Sequence, residues 1–475
     1  MRNIQKILVL IVILLIGVSA IPGAAQDQEG EYQLYLPILM RNYPHHSIFG
    51  VEITKNGFMD EAASAGNHWL RYNGLLWSEV QPISSTEYLW EKNQTMETDL
   101  QAAAENGMEV ILIVRSTPAW TQKYPGYFCG PPADLVAFSN FMRQVVKRYS
   151  IPPYNVKYFE IWNEPDVDPY QHAFTPTHQY GCWGDLSDPY YGGGYYGEML
   201  RVVYPAMKAA NPSVNLVLGG LLLDCDPRSI GPGFCLSEEK TKAPKFFEGI
   251  LRNSGGAYFD VVSFHGYPTY QNGANPIQSE IDFLTWKVAG GVVTGKIDYI
   301  KYLMSLYEIN KPIFHTEGAL LLAKDESSST PEFEKAKANY LPWLYARNWE
   351  KGIMATNWYT LNGPGWRQSA LLDADQSPRE AYTAFSLMTE KLGKAEFISH
   401  TILNDGTSNE IHRFEFLTHD MRIWLLFGTK DNNLRTVVIP PKFKQTYDVV
   451  GETINLIVTD TQITFDRPIY IEIYK

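Results

Sequence analysis

Two glutamates stand where apolar stretches end. One lies in Tyr158-Phe159-Glu160-Ile161-Trp162-Asn163-Glu164-Pro165-Asp166, the other in Ile313-Phe314-His315-Thr316-Glu317-Gly318. Two carboxyl groups that face each other divide their labour, because like charge and partial desolvation raise one pKa and leave the other group ionised. Cleavage of a glycosidic bond uses that division. One group gives a proton to the leaving oxygen and the other acts as nucleophile or base. A lone glutamate at a strand end reads equally well as part of a structural ion pair. Two in matching positions carry the argument. Glu160 shares the strand parity of Glu164 and points the same way one layer deeper, as a buried structural carboxylate.

The elements that must present these residues alternate. Short β-rich runs at 48–53, 69–72, 110–114, 156–162, 216–221, 259–264, 312–315 and 353–358 are separated by amphipathic stretches. In 134–149, Leu135, Phe138, Phe141, Met142, Val145, Val146 and Tyr149 recur at helical spacing behind Asp134, a good N-cap. Helical patterns also cover 196–210, 296–310 and 331–349. Eight strand–helix units over about 350 residues describe a (β/α)8 TIM barrel, whose sites lie at the C-terminal ends of the strands. A doubly wound sheet rarely needs eight units. Glu164 then closes the fourth strand and Glu317 the seventh. After Gly393 no helical period remains. Runs at 422–427, 436–439, 453–458 and 470–474 predict a small C-terminal antiparallel β-sandwich. The expected division is an export signal at 1–25, a linker at 26–46, the barrel at 47–394 and the sandwich at 395–475.

The export signal is read from Arg2 and Lys6, the apolar run 7–16 and the small residues Gly23-Ala24-Ala25. Within the linker, the apolar stretch 35–40 is broken by Pro37. Export permits disulfides. Four cysteines allow three pairings, of which Cys225–Cys235 with Cys129–Cys182 is favoured. No Cys/His spacing fits zinc. The chain of 475 residues carries a net charge of −12, with 40 Lys+Arg against 52 Asp+Glu and no basic block. Capture of nucleic acid or of an anionic membrane is therefore not expected. Aromatic residues reach 13%, with 12 Trp, enough to fill a core and also to stack on sugars.

The segment Tyr158-Phe159-Glu160-Ile161-Trp162-Asn163-Glu164-Pro165 resembles the strand-four signature of clan A glycoside hydrolases, and the resemblance runs through the barrel. It is closest to family 39, with families 5 and 42 as relatives. It implies a retaining glycosidase with Glu164 as acid/base and Glu317 as nucleophile. Asn163 would bond the sugar 2-hydroxyl. Arg71, after the second strand, would keep Glu317 ionised. His265 and Tyr267, in Ser263-Phe264-His265-Gly266-Tyr267-Pro268, would bond Glu317 or a sugar hydroxyl. Trp358 would be the stacking platform under the sugar, and Trp120 a contact from the loop after strand three. The partner implied is a carbohydrate, with no cofactor or metal, and the protein is expected to be a monomer.

Gly192-Gly193-Gly194-Tyr195-Tyr196-Gly197 fits the dinucleotide-binding GxGxxG pattern, but a polar stretch precedes it in place of a strand. It reads as a flexible loop, and residues 170–196 as one wall of the cleft. The competing function is a non-catalytic carbohydrate-binding protein on a degenerate barrel, which the presence of both glutamates disfavours. Which sugar and linkage are cleaved is not legible.

Overall fold

The computed structural model describes residues 47–54, 57–168, 180–271, 273–404, 410–430, 433–453 and 457–475. The export signal, the linker with its apolar stretch, and part of 170–196 lie outside the described residues. Eight strands pair in parallel: β1 (Phe49–Ile53), β2 (Trp69–Leu76), β3 (Glu109–Arg115), β4 (Tyr158–Ile161), β5 (Asn215–Leu218), β6 (Val262–Gly266), β7 (Ile313–Gly318) and β8 (Ala355–Trp358). Their order is β5-β4-β3-β2-β1-β8-β7-β6. Parallel bridges Val217–Val261 and Leu221–Phe264 bring β5 to β6 and nearly close the ring. All eight predicted strands are present.

Strand alternation sorts the residues into an inner and an outer set. At the bottom of the barrel Trp69, Ile111, Val217, Val261, Phe314 and Ala355 form an apolar layer. Trp69 meets Tyr158 at 5.1 Å and Phe314 at 5.2 Å between ring centroids. Two residues further along β2 and β4 the same inner face carries Arg71 and Glu160, both buried. The barrel is therefore apolar below and charged above.

Helices fill the crossovers. Helix Leu135–Tyr149 begins where expected, with the Asp134 carboxylate accepting the Ala137 N–H at 2.8 Å. Two others start earlier than their periodicity shows. Val292–Leu306 opens on the Val-Val-Thr-Gly stretch, which is poor in helix propensity but buries Val292, Val293 and Ile297. Gly193–Ala210 opens inside the glycine run, so the flexible loop expected there is a helix start. The reason is close approach: a Cβ on Gly193 would lie 2.0 Å from the Phe246 carbonyl oxygen. Both favoured disulfides, Cys129–Cys182 and Cys225–Cys235, are present. No helix among the described residues is long and apolar enough to cross a membrane.

The C-terminal strands form two antiparallel sheets. One holds β9 (Glu396–Asn404), β10 (Glu410–Leu417), β11 (Met421–Gly428), β13 (Phe443–Asp448) and β16 (Ile469–Tyr474), in the order β13-β16-β11-β10-β9. The other holds β12 (Arg435–Val438), β15 (Gln462–Phe465) and β14 (Ile457–Val458). Ile411, Leu426, Ile463, Phe465, Ile469 and Ile471 fill the space between them. The alternate residues of the larger sheet face the barrel. Phe414 and Phe427 pack edge-on against Trp343 at 5.7 and 5.4 Å, and Phe416 lies 5.3 Å from Trp349, both tryptophans on helix Pro331–Glu350. Trp343 also donates to Glu280 at 3.0 Å. Trp343→Ala should destabilise the fold by about 3–5 kcal/mol. Denaturant unfolding that moved by less than about 1 kcal/mol would refute this account of the contact.

Candidate active site

The charged layer centres on Arg71. Its guanidinium, wholly buried, donates to Glu52 of β1 and to Glu317 of β7. It also grips Glu160 through two N–H···O bonds of 2.7 and 3.1 Å, and bonds the Asn163 carbonyl oxygen at 2.7 Å. Burial works against the guanidinium charge, but Glu160, Glu52 and Glu317 outweigh it and raise its pKa. Burial pushes Glu160 up and Glu52 well above the usual carboxylate range, with Arg71 pulling both back.

Above this layer lie Glu164 and Glu317, both more than nine-tenths buried. Tyr267 donates to the second oxygen of Glu317, so Arg71 and Tyr267 hold that carboxylate from two sides. His265 Nδ1 lies 2.7 Å from Glu164 Oε1 and 3.4 Å from Glu317 Oε2. Burial, then the Arg71 charge, pushes the imidazole pKa well down, so the ring stays neutral. Burial raises Glu164 well above its ordinary value, and Glu317, Asp166 and Asp224 add to that. Glu164 sits at φ 47°, a left-handed conformation that is costly for a residue with a side chain.

Two further groups fix this corner. The Asp166 carboxylate accepts the Leu222 and Leu223 N–H groups at 2.8 and 2.9 Å. Buried Lys296 donates to the carbonyls of Leu222 and of His265, the latter at 2.8 Å. Behind His265, Gly220 stands at φ 31°, and a Cβ there would lie 2.1 Å from His265 Nε2. Among the described residues Glu164, His265 and Glu317 are also spaced to hold a metal ion. The Arg71 cation against Glu317 opposes a second positive charge there.

Six of the eight predicted site residues therefore meet: Glu164, Glu317, Asn163, Arg71, His265 and Tyr267. Their roles need one correction. Arg71 and His265 are fully buried and reach a sugar only through the carboxylates they hold. Trp358 is a second correction, since it is 0% exposed and offers no face for stacking. Ala355 lies on the inner face of β8, so Trp358, three residues on, turns outward to Tyr340 at 6.3 Å. Half-buried Tyr359 takes the inner position, with its ring 6.0 Å from that of Tyr267. Half-buried Trp120, in the helical turn Ala119–Thr121 of the loop after β3, packs edge-on against Trp77 at 5.7 Å and donates to the Gln81 carbonyl at 2.8 Å. Glu52 and Tyr359 were missed, although counting parity along β1 and β8 places both on the inner face.

No family model matches the chain, and no curated protein matches its sequence. Solved structures do match. One is a family 39 glycoside hydrolase from the gut symbiont Bacteroides cellulosilyticus WH2, with a TM-score of 0.64 and 18% identity, covering 91% of this chain and 81% of that one. A GH39 β-xylosidase from Caulobacter crescentus gives 0.53 at 12% identity, covering 91% and 98%. A family 51 α-L-arabinofuranosidase from Bifidobacterium longum gives 0.56 at 13% identity, covering 91% and 97%. The chain thus has the barrel fold of the clan A glycoside hydrolases.

Proposed function

We propose that this protein is a secreted glycoside hydrolase that cleaves O-glycosidic bonds of oligo- or polysaccharides with retention of anomeric configuration. The observation that carries the reading is the approach of the two carboxylates, one oxygen of each lying within 4.8 Å of the other at the barrel mouth. Retention uses carboxyl groups about 5–5.5 Å apart, whereas inversion needs ~6.5–9.5 Å to admit a water. Glu317, oriented by Arg71 and Tyr267, attacks the anomeric carbon. Glu164, kept protonated by its surroundings, gives its proton to the departing oxygen. The glycosyl–Glu317 ester then breaks when Glu164, now a carboxylate, takes a proton from water. The Arg71 bond to the Asn163 oxygen turns the amide N–H groups away from the guanidinium, free to meet a sugar hydroxyl. The apolar run 7–16 and the two disulfides support export.

A panel of aryl glycosides and polysaccharides identifies the substrate. On it Glu317→Ala should lower turnover on the order of 10⁴-fold or more, and wild-type-like turnover would refute the nucleophile assignment. The active form of Glu164 is protonated, so kcat/KM should fall as pH rises through its raised pKa. Glu164→Gln should lose that alkaline limb on a dinitrophenyl glycoside, whose leaving group needs no acid; an unchanged limb assigns it elsewhere. Gly220→Ala drives a methyl into His265 and should lower kcat about 100-fold with little change in KM. A kcat within twofold of wild type would show that His265 does not position Glu164.

A further inference from the structure

We propose that the Cys129–Cys182 disulfide is a positioning element for catalysis, holding the backbone of Glu164 in the conformation from which its carboxyl reaches the leaving oxygen; this rests on the glycosidase reading above. Cys225–Cys235 closes a span of only 10 residues, whereas Cys129–Cys182 joins the loop after β3 to the loop after β4, 53 residues on.

The segment that delivers Glu164 has a backbone that local preference opposes. Trp162 and Glu164 stand at φ 76° and 47°, and further along the same loop Cys182 stands at 60°. Left-handed backbone at residues with side chains persists only where the surroundings over-determine it. Here the restraints come from both ends of the disulfide. At one end the Cys129 carbonyl accepts the Trp162 indole N–H at 2.7 Å. At the other, beside Cys182, the Gly181 N–H donates to the Glu164 carbonyl at 3.0 Å and to that of Asn163 at 3.4 Å. Trp183, on the far side of Cys182, meets the Trp162 ring edge-on at 5.2 Å.

The first end is anchored in turn. Buried Thr117, just past β3, donates its N–H to the Phe128 carbonyl at 2.8 Å and its hydroxyl to the Gly130 carbonyl at 2.6 Å, one on each side of Cys129. A path of hydrogen bonds and one covalent link thus runs from β3 to Cys129, across to Cys182 and back onto Glu164. No strand does this work, because β4 ends at Ile161, three residues short of Glu164. Glu317 by contrast lies within β7. The nucleophile is placed by a strand and the acid by a staple, so cutting the staple disturbs proton transfer and leaves the attacking group in position.

The test is kcat/KM of full-length Cys129→Ser/Cys182→Ser on paired phenyl and dinitrophenyl glycosides of each sugar in the panel. This constant reports the step in which Glu317 attacks, and only the phenyl leaving group needs a proton there. The phenyl value should fall about 100-fold, the loss expected when a reacting group is misplaced by ~1 Å, while the dinitrophenyl value stays within about threefold of wild type. Trp162→Phe keeps the disulfide and deletes the indole N–H; it should show the same selective loss at about tenfold, and it decides the matter if the serine variant does not fold. Equal losses on both leaving groups, or no loss on either, overturn the proposal and leave the glycosidase reading standing. A wild-type protein inactive on every pair overturns that reading and this one together.

Discussion

One buried guanidinium organises the upper half of the barrel. Arg71 faces carboxylates from β1, β4 and β7, and an amide just past β4, in an interior whose floor is aromatic and aliphatic. A cation so placed is tolerable only when its partners are complete, and removing any one leaves charge stranded in a poor solvent. The strands that carry those partners must therefore keep their register. The geometry of the mouth follows from the pairing beneath it. Glu317 is reached from below by Arg71 and from the side by Tyr267, and Glu164 by His265, which Lys296 holds through its backbone.

The two glutamates see different surroundings although they nearly touch. Glu317 meets a cation and a phenol, both of them donors. Glu164 meets burial and the fields of Glu317, Asp166 and Asp224, all of which favour the proton. The asymmetry that acid and nucleophile need comes from neighbours one shell out, since the reacting side chains are chemically the same.

Much of this was legible in the chain. The β–α alternation and the two strand-terminal glutamates announce the barrel and its mouth, and parity placed Glu160 beneath Glu164. Where the reading failed, a tertiary contact decided the matter. The platform role of Trp358 came from the family resemblance, whereas the parity set by Ala355 turns it outward and Tyr359 inward. The glycine run looked like a flexible loop, yet it opens a helix in which Gly193 passes against the Phe246 carbonyl. Glu52, inside Gly50-Val51-Glu52-Ile53, lies on the inner face of β1 by parity, but its partner Arg71 stands on another strand.

Helix Pro331–Glu350 serves two neighbours at once. Trp343 and Trp349 seat the larger C-terminal sheet, while Lys337, two turns earlier, holds the carbonyls of Gln368 and Ala370. The sandwich is thereby a buttress as well as an appendage. A chain cut after the barrel would bare two tryptophans on the same rod that braces the rim of the cleft, so the catalytic half of this protein is mechanically longer than its eight strands.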